Sequence, residues 1–369
     1  MKRRVGILGS TGSIGVQALN VIDNLKNEFD IVFLTANANS DLLKSQIQKF
    51  KPQRAALKNG SGKCNETILY PLSTLNDTSF YNNTDIVING ISGIAGLLPT
   101  ITVLKTGTTL ATANKESLVA AGKYIMDMSQ LYGSKIIPVD SEHSALMQCI
   151  GNDTPKKLIL TASGGAFRDF SLEMLKSVNY LDALKHPTWS MGPKVTLDSA
   201  TLMNKVFEIL EAKWLFETDN IGIIMHRESI VHAMVEYNDG TLKMCLSIPD
   251  MKLPIQYALT YPNRYECLEH LRIDALNKLS FCAPDENKYP CLKMAKYLLK
   301  EPWLGATLTV ADEIAIELFR LGRINFLEIH SVIDQVLDYA SEAKHDSIDD
   351  VLNVIKDTKR YMNLKFKLM

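Results

Sequence analysis

Neither sign of charge dominates this chain: 40 Lys and Arg stand against 41 Asp and Glu, a net charge of -1 at pH 7. That balance supplies no global field for a polyanion, so nucleic acid and anionic membrane are poor partners. Cysteine is sparse too. The six thiols, Cys64, Cys149, Cys245, Cys267, Cys282 and Cys291, show neither Cys-x-x-Cys spacing nor pairing with histidine. This argues against zinc and for reduced packing thiols in a cytoplasmic, cytosol-like compartment. Met1-Lys2-Arg3-Arg4 resembles the start of an export signal, but only Val5 to Leu8 is apolar before Gly9-Ser10-Thr11-Gly12 intervenes, so no export is expected. The longest uncharged run, 86–104, is broken by Asn89, Gly90, Gly93, Gly96 and Pro99. It reads as buried α/β core rather than a membrane span.

What is present is a 369-residue chain, 46% hydrophobic, beyond the size at which one core stops growing. Two or three domains are expected. Residues 4–8 form a short apolar run that ends in Gly9-Ser10-Thr11-Gly12-Ser13-Ile14-Gly15, followed by helical spacing to about Leu25 and a second apolar strand over 29–34. Strand, glycine turn, helix and strand make up a dinucleotide-binding unit, in which glycines let the backbone approach a pyrophosphate at a helix N-terminus. The spacing is G-x-x-G-x-x-G, off the usual fingerprint, and a glycine turn with no ligand is the plainer alternative. After the second strand comes Thr35-Ala36-Asn37-Ala38-Asn39-Ser40; with no acid there to repel a 2'-phosphate, NADP is favoured over NAD.

Further strands are expected near 54–57, 85–89, 108–112 and 135–139, with helices beginning near Asp41, Gly96 and Glu116, an alternation that argues a doubly wound parallel sheet. Asn114-Lys115-Glu116 lies at a strand end, as a ligand contact or a surface turn. Asp140-Ser141-Glu142-His143 follows the last strand. In extended backbone Asp140 and Glu142 point the same way and could share one cation; the alternative is a helix cap with a first-turn acid. Another strand over 157–161 runs into Ser163-Gly164-Gly165, able to offer a hydroxyl and amides to an anion. Strands over 221–225, 230–236 and 242–247 give the middle of the chain its own sheet, 249–262 is expected to be irregular, and helices are expected over 291–299, 310–321, 326–339 and 348–364.

The stretch 186–208 carries the densest signal. Pro187, Gly192 and Pro193 around Trp189 read as a loop. Asp198 or Ser199 is expected to cap a helix whose Leu202, Val206, Ile209 and Leu210 form a buried face. Asn204 and Glu208 then stand at i,i+4, with Lys205 at i,i+3 from Glu208. A solvated surface with a Lys-Glu pair is the bland reading of that face.

With the glycine turn of 9–15, Asn114-Lys115-Glu116-Ser117, Asp140-Ser141-Glu142-His143, Ser163-Gly164-Gly165, His186-Pro187-x-Trp189-Ser190-Met191-Gly192 and Asp198-Ser199-Ala200-Thr201-x-Met203-Asn204-Lys205 in this order, the chain resembles the 1-deoxy-D-xylulose 5-phosphate reductoisomerases from end to end. The resemblance implies NADPH- and metal-dependent conversion of 1-deoxyxylulose 5-phosphate to 2-C-methylerythritol 4-phosphate, in non-mevalonate isoprenoid synthesis. It implies an N-terminal Rossmann-like NADPH domain (1–139), a central α/β catalytic domain (140–263) with a lid near 185–195, a connecting segment (264–290) and a C-terminal helical bundle domain (291–369). A homodimer is implied by the family as well.

Carried over by motif, Asp140, Glu142 and Glu208 would bind Mg2+ or Mn2+, and three carboxylates suit a hard cation. Ser163, Ser199, Asn204 and Lys205 would hold the substrate phosphate, with His186 closing from the lid, Trp189 covering the substrate and Ser141 beside it. Thr11, Gly12, Ser13, Ile14, Asn37, Ala38, Asn39 and Asn114 would line the cofactor, with Met191 and Gly192 by the nicotinamide. Lys115 and Glu116 would lie between cofactor and metal. Three positions depart from the family pattern: Ala38, where many members carry a basic residue, Ala166 and Pro193. Two rivals share these features, an NADP-dependent oxidoreductase of another phosphorylated hydroxy-ketone and a non-catalytic dinucleotide-binding regulator.

Overall fold

The structure is a computed structural model that describes residues 2–189, 191–340 and 347–368; Ser190, inside the expected lid, lies outside the described residues. The chain divides into two compact units of interleaved segments: Met1–Asn114 with Ile125–Ser144 and Asp250–Glu269, and Lys115–Tyr124 with Ala145–Pro249 and His270–Met369. No described helix is long and apolar enough to cross a membrane.

The first unit is a doubly wound α/β layer. Its strands are β1 (Arg3–Leu8), β2 (Phe29–Thr35), β3 (Arg54–Leu57), β4 (Lys63–Cys64), β5 (Thr67–Pro71), β6 (Ile86–Asn89), β7 (Thr109–Thr112) and β8 (Ile136–Pro138). They form one sheet in the order β4-β5-β3-β2-β1-β6-β7-β8, parallel throughout except for β4 against β5. Val5, Ile7 and Leu8 are fully buried, as a strand covered by helices on both faces must be. Strand order reverses between β1 and β6, the position at which such sheets open a ligand crevice. The small β4–β5 hairpin carried no sequence signal; it turns at Asn65, which adopts a left-handed φ of 53°, a conformation asparagine tolerates.

The expectation of an irregular 249–262 is corrected. Lys252–Thr260 is a helix that buries Ile255, Ala258 and Leu259, and Arg3 donates to the Leu259 carbonyl at 2.8 Å. Pro254 sits in its first turn, where a missing N–H leaves no intrahelical acceptor unpaired.

The second unit holds β9 (Lys157–Ala162), β10 (Ile221–Met225), β11 (Val231–Glu236) and β12 (Leu242–Leu246), in the order β10-β9-β11-β12. The Asn238-Asp239-Gly240 turn joins β11 to β12, with Gly240 at φ 87°. Helices Leu292–Leu298, Gly305–Arg320, Ile329–Ala340 and Ile348–Phe366 follow. Leu160, Val206, Leu210, Ala233, Leu308, Leu318 and Ile333 belong to one buried cluster, so sheet and C-terminal helices share a core.

Of the cysteines, Cys291 is buried and all six are free, but Cys282 is exposed, so the packing reading fails for that thiol. It lies beside an isolated antiparallel bridge to Met225 at the sheet margin.

Candidate active site

Ser163, His186, Ser199, Asn204, Lys205 and Glu208 all belong to the second unit. Ser163 follows β9 in a turn where Gly164 and Gly165 have φ of 90° and 66°. A Cβ on Gly165 would stand 2.4 Å from the Ser199 carbonyl; only glycine lets the two hydroxyl-bearing segments approach so closely. His186 Nε2 lies 3.2 Å from Ser163 Oγ and 3.1 Å from Ser199 Oγ.

The other ring nitrogen settles the tautomer. His186 Nδ1 accepts from the backbone N–H groups of Thr188 at 3.1 Å and Trp189 at 2.9 Å, so the single proton of a neutral ring sits on Nε2 and faces the two hydroxyls. Burial, reinforced by Arg168 and Lys205, pushes the His186 pKa down to about 4, which keeps the ring neutral at physiological pH. The lid thus presents a neutral donor, held by its own backbone. Trp189, next in the loop, lies 6.0 Å from the His232 ring at a 54° tilt.

The expectation that Asp198 or Ser199 caps the helix is corrected. Two helices run here, Pro193–Thr201 and Met203–Phe216, with Leu202 between them in a left-handed conformation at φ 58°. Pro193 is the first helical residue after Gly192, because its fixed φ suits that position and it lacks only an N–H the first turn does not use. Ser199 is therefore in the last turn of the first helix, and the helix N-terminus near it belongs to the second, at Met203.

On that second helix the i,i+4 geometry holds. Asn204 donates to Glu208 Oε1, Lys205 Nζ reaches Glu208 Oε2 at 2.6 Å, and Lys115 Nζ lies 2.9 Å from Asn204 Oδ1 and 3.4 Å from Glu208 Oε1. Glu208 is fully buried, Lys205 4% exposed and Lys115 8%. The solvated-surface reading therefore fails: a carboxylate buried between two ammonium groups is a built site.

Glu116, Met191 and Gly192 also belong to the second unit, and the glycine turn, Asn37 to Asn39, Asn114, Asp140, Ser141 and Glu142 lie in the first. Gly9 has φ 77° and donates to Thr35 Oγ1 at 2.9 Å, while Ser10 is held by Gln46 through bonds of 2.7 and 2.9 Å. The helix Ser13–Asn24 starts at Gly12 with no side-chain cap, so Thr11, Gly12, Ser13 and Ile14 present main chain at a helix N-terminus, as a pyrophosphate requires. Asn37, Ala38 and Asn39 are exposed after β2, and Asn39 caps the next helix by accepting from Leu42 N at 3.1 Å. Asn114 is buried and donates to the Ile91 and Gly93 carbonyls at 2.7 and 2.8 Å, bracing the turn after β6.

Of the two readings of Asp140 and Glu142, the helix start with a first-turn acid is the one the structure bears out. Helix Ser141–Ile150 begins directly after Asp140, with Glu142 in its first turn, and Ser141 Oγ donates to Glu142 Oε2. Both carboxylates gain from the helix N-terminus, and they belong to the same turn of chain.

Two groups escaped the sequence reading. Arg168 acts on His186 through its charge, with no spacing to betray it. Lys194 was passed over although Asp198 stands at i,i+4 from it; its Nζ lies 2.7 Å from Asp198, 2.7 Å from Asp312 and 3.7 Å from Glu116.

Known proteins are similar to this chain in sequence and fold. The 1-deoxy-D-xylulose 5-phosphate reductoisomerase profile matches residues 5–122, and profiles of that family's C-terminal domains match 136–216 and 246–361. The chain is 43% identical over 383 residues to the reductoisomerase of Thermoanaerobacter pseudethanolicus, with 99% of each covered. It is 42% identical over 378 residues to 1-deoxy-D-xylulose 5-phosphate reductoisomerase 1 of Bacillus anthracis, with 98% of each covered. Among solved structures, a DOX-P reductoisomerase in complex with NADPH, fosmidomycin and magnesium matches with a TM-score of 0.94 at 34% identity, over 99% of this chain and 98% of that one. The Zymomonas mobilis enzyme in complex with NADPH matches with a TM-score of 0.89 at 33% identity, over 97% of each. Likeness this extensive, running through the glycine turn, the acidic helix start and the buried Asn-Lys-Glu face alike, means that the chain belongs to the 1-deoxy-D-xylulose 5-phosphate reductoisomerase family.

Proposed function

We propose that the chain performs its family's reaction with the residues named above: Ser163, Ser199, Asn204 and Lys205 hold the substrate phosphate, and Asp140, Glu142 and Glu208 hold a divalent cation. The reaction converts 1-deoxy-D-xylulose 5-phosphate to 2-C-methyl-D-erythritol 4-phosphate with NADPH, on the way to isoprenoid precursors. The observation that carries the residue assignment is the cradle. Two hydroxyls, a neutral imidazole N–H, an amide and a buried lysine within one unit suit a phosphate, whose oxygens accept from all of them.

The donor sets fit both helpers. Three carboxylates suit Mg2+ or Mn2+, and the uncapped glycine-led helix start suits a pyrophosphate. When bound, the cation stabilises negative charge on the substrate's ketone and hydroxyl oxygens, and NADPH supplies the hydride. The chain does the rest. Lys205 balances the phosphate, His186 donates a hydrogen bond from Nε2–H to a phosphate oxygen without changing charge, and Trp189 shields the substrate from water. Ser141 orients Glu142, and Lys115 beside Glu208 offers an ammonium to developing oxyanion charge. Phosphate binding energy spent on closing the lid raises turnover as well as affinity.

Asn37, Ala38 and Asn39 would meet the adenosine end of NADPH, with Asn114 and Glu116 beneath the cofactor and Met191 and Gly192 beside the nicotinamide. The roles follow sequence order: cofactor over 1–139, catalysis over 140–263 and a helical closing segment over 291–369 after the 264–290 connection. A homodimer in the cytoplasm completes the proposal. Cofactor oxidation measured with 1-deoxyxylulose 5-phosphate and Mg2+, with NADPH and NADH in parallel and EDTA as a control, tests it. Turnover that needs metal and prefers NADPH supports it; binding of NADPH and metal without turnover favours an enzyme of another phosphorylated hydroxy-ketone.

A further inference from the structure

Lys194 is not among the phosphate or metal ligands, yet it is the hub of a buried charge cluster. Its Nζ bridges Asp198 Oδ2 and Asp312 Oδ2 at 2.7 Å each, with Glu116 Oε1 at 3.7 Å, and it lies 4.7 Å from the centre of the Phe207 ring. Asp198 and Asp312 are 2% and 1% exposed. Asp198 Oδ1 has no hydrogen-bond partner among the described residues. Burial raises the pKa of both aspartates, against the lowering pull of the Lys194 ammonium. Lys194 is therefore the one ammonium that ties both buried aspartates together.

The cluster's placement gives it a role. Lys194 is the second residue of helix Pro193–Thr201, directly beyond the lid's Gly192, and Asp198 precedes the cradle hydroxyl of Ser199. Asp312 lies on helix Gly305–Arg320, and Glu116 adjoins Lys115. We propose that Lys194, bridging Asp198 and Asp312, is a positioning residue for the substrate-phosphate cradle: it fixes the helix that ends the lid and thereby aims Ser199 at the phosphate. This rests on the reading of Ser199 as a phosphate ligand.

The test is a comparison of variants by KM for 1-deoxyxylulose 5-phosphate and by the dissociation constant of NADPH in the absence of substrate. Lys194→Met is expected to raise KM about tenfold, the size of one lost charge-assisted bond, while leaving NADPH binding within about twofold. Asp198→Asn keeps an oxygen acceptor for Lys194 and is expected to hold KM within about threefold, whereas Asp198→Ala behaves like Lys194→Met. An unchanged KM in Lys194→Met, an equal loss of substrate and NADPH binding, or an Asp198→Asn as impaired as Asp198→Ala would overturn the proposal. If Lys194→Met does not fold, the Asp198 pair decides alone. Ser199→Ala separates the two levels: if it leaves KM unchanged the cradle reading fails, and if it raises KM while Lys194→Met does not, only the positioning role fails.

Discussion

Under the proposed function, the glycine turn of 9–15 and the cradle around Ser199 are two answers to one problem, binding phosphate oxygens. The turn works with main chain: no side chain caps the helix that starts at Gly12, and its shape depends on what is absent, namely a Cβ at Gly15. The cradle works with side chains drawn from the turn after β9, the lid and two successive helices, each oriented by a neighbour. A main-chain site tolerates most polar substitutions and fails on added volume; a side-chain site tolerates volume better than the loss of a single donor.

Breaking the cradle's charge centre should have the largest effect. Glu208→Gln keeps size but leaves Lys115 and Lys205 facing a neutral amide and deprives the cation of a carboxylate. A fall in kcat/KM of roughly 10²–10³-fold is expected, with the circular dichroism spectrum retained; near-normal turnover would remove Glu208 from the metal site.

Gly15→Ala should be next, because its Cβ would lie 2.4 Å from both the Gly9 carbonyl oxygen and Ser10 Cα. NADPH binding should weaken by roughly 10²-fold, equivalent to an overpacking strain of about 1–3 kcal/mol. Gly12→Ala sharpens the contrast: its Cβ would sit 3.4 Å from the nearest atom, at an ordinary φ of -80°, so fluorescence titration should show a far smaller loss.

Acid should act on the cradle and not on the turn. With the His186 pKa lowered from 6.5 to about 4 by burial and by Arg168 and Lys205, the unfolded chain takes the proton first as pH falls. The stability this group contributes is full above pH 6.5 and is lost as pH falls through 4. Unfolding midpoints of wild type and His186→Gln should therefore converge between pH 7 and 4; a constant gap would show that His186 is not held neutral.

The smallest effect is expected at exposed Ala38, where Ala38→Lys should raise the NADPH-over-NADH preference two- to fivefold, about what one solvated ion pair contributes.

Much of the turn was legible in the chain because it is local: strand, glycines and helix fall within some thirty residues, and apolar runs mark β1 and β2. The cradle was legible only in its ingredients. Spacing put Asn204, Lys205 and Glu208 on one helix face, but it also suggested a cap at Asp198 that Pro193 had already made unnecessary, because the helix starts earlier and breaks at Leu202. The helix Lys252–Thr260 was hidden by prolines whose effect depends on the turn they occupy. Arg168 near His186 left no trace at all.

By itself the sequence determined what local physics can determine: the parallel α/β pattern, the helix faces, the glycine turn and the chemical types available for a phosphate and a hard cation. Tertiary structure alone decided which of those groups are buried together. Lys194 meets Asp312 across 118 residues, and burial then raises the pKa of two ordinary aspartates and turns an ordinary histidine into a neutral donor. Desolvation depends on everything packed around a group, and no spacing along the chain encodes it.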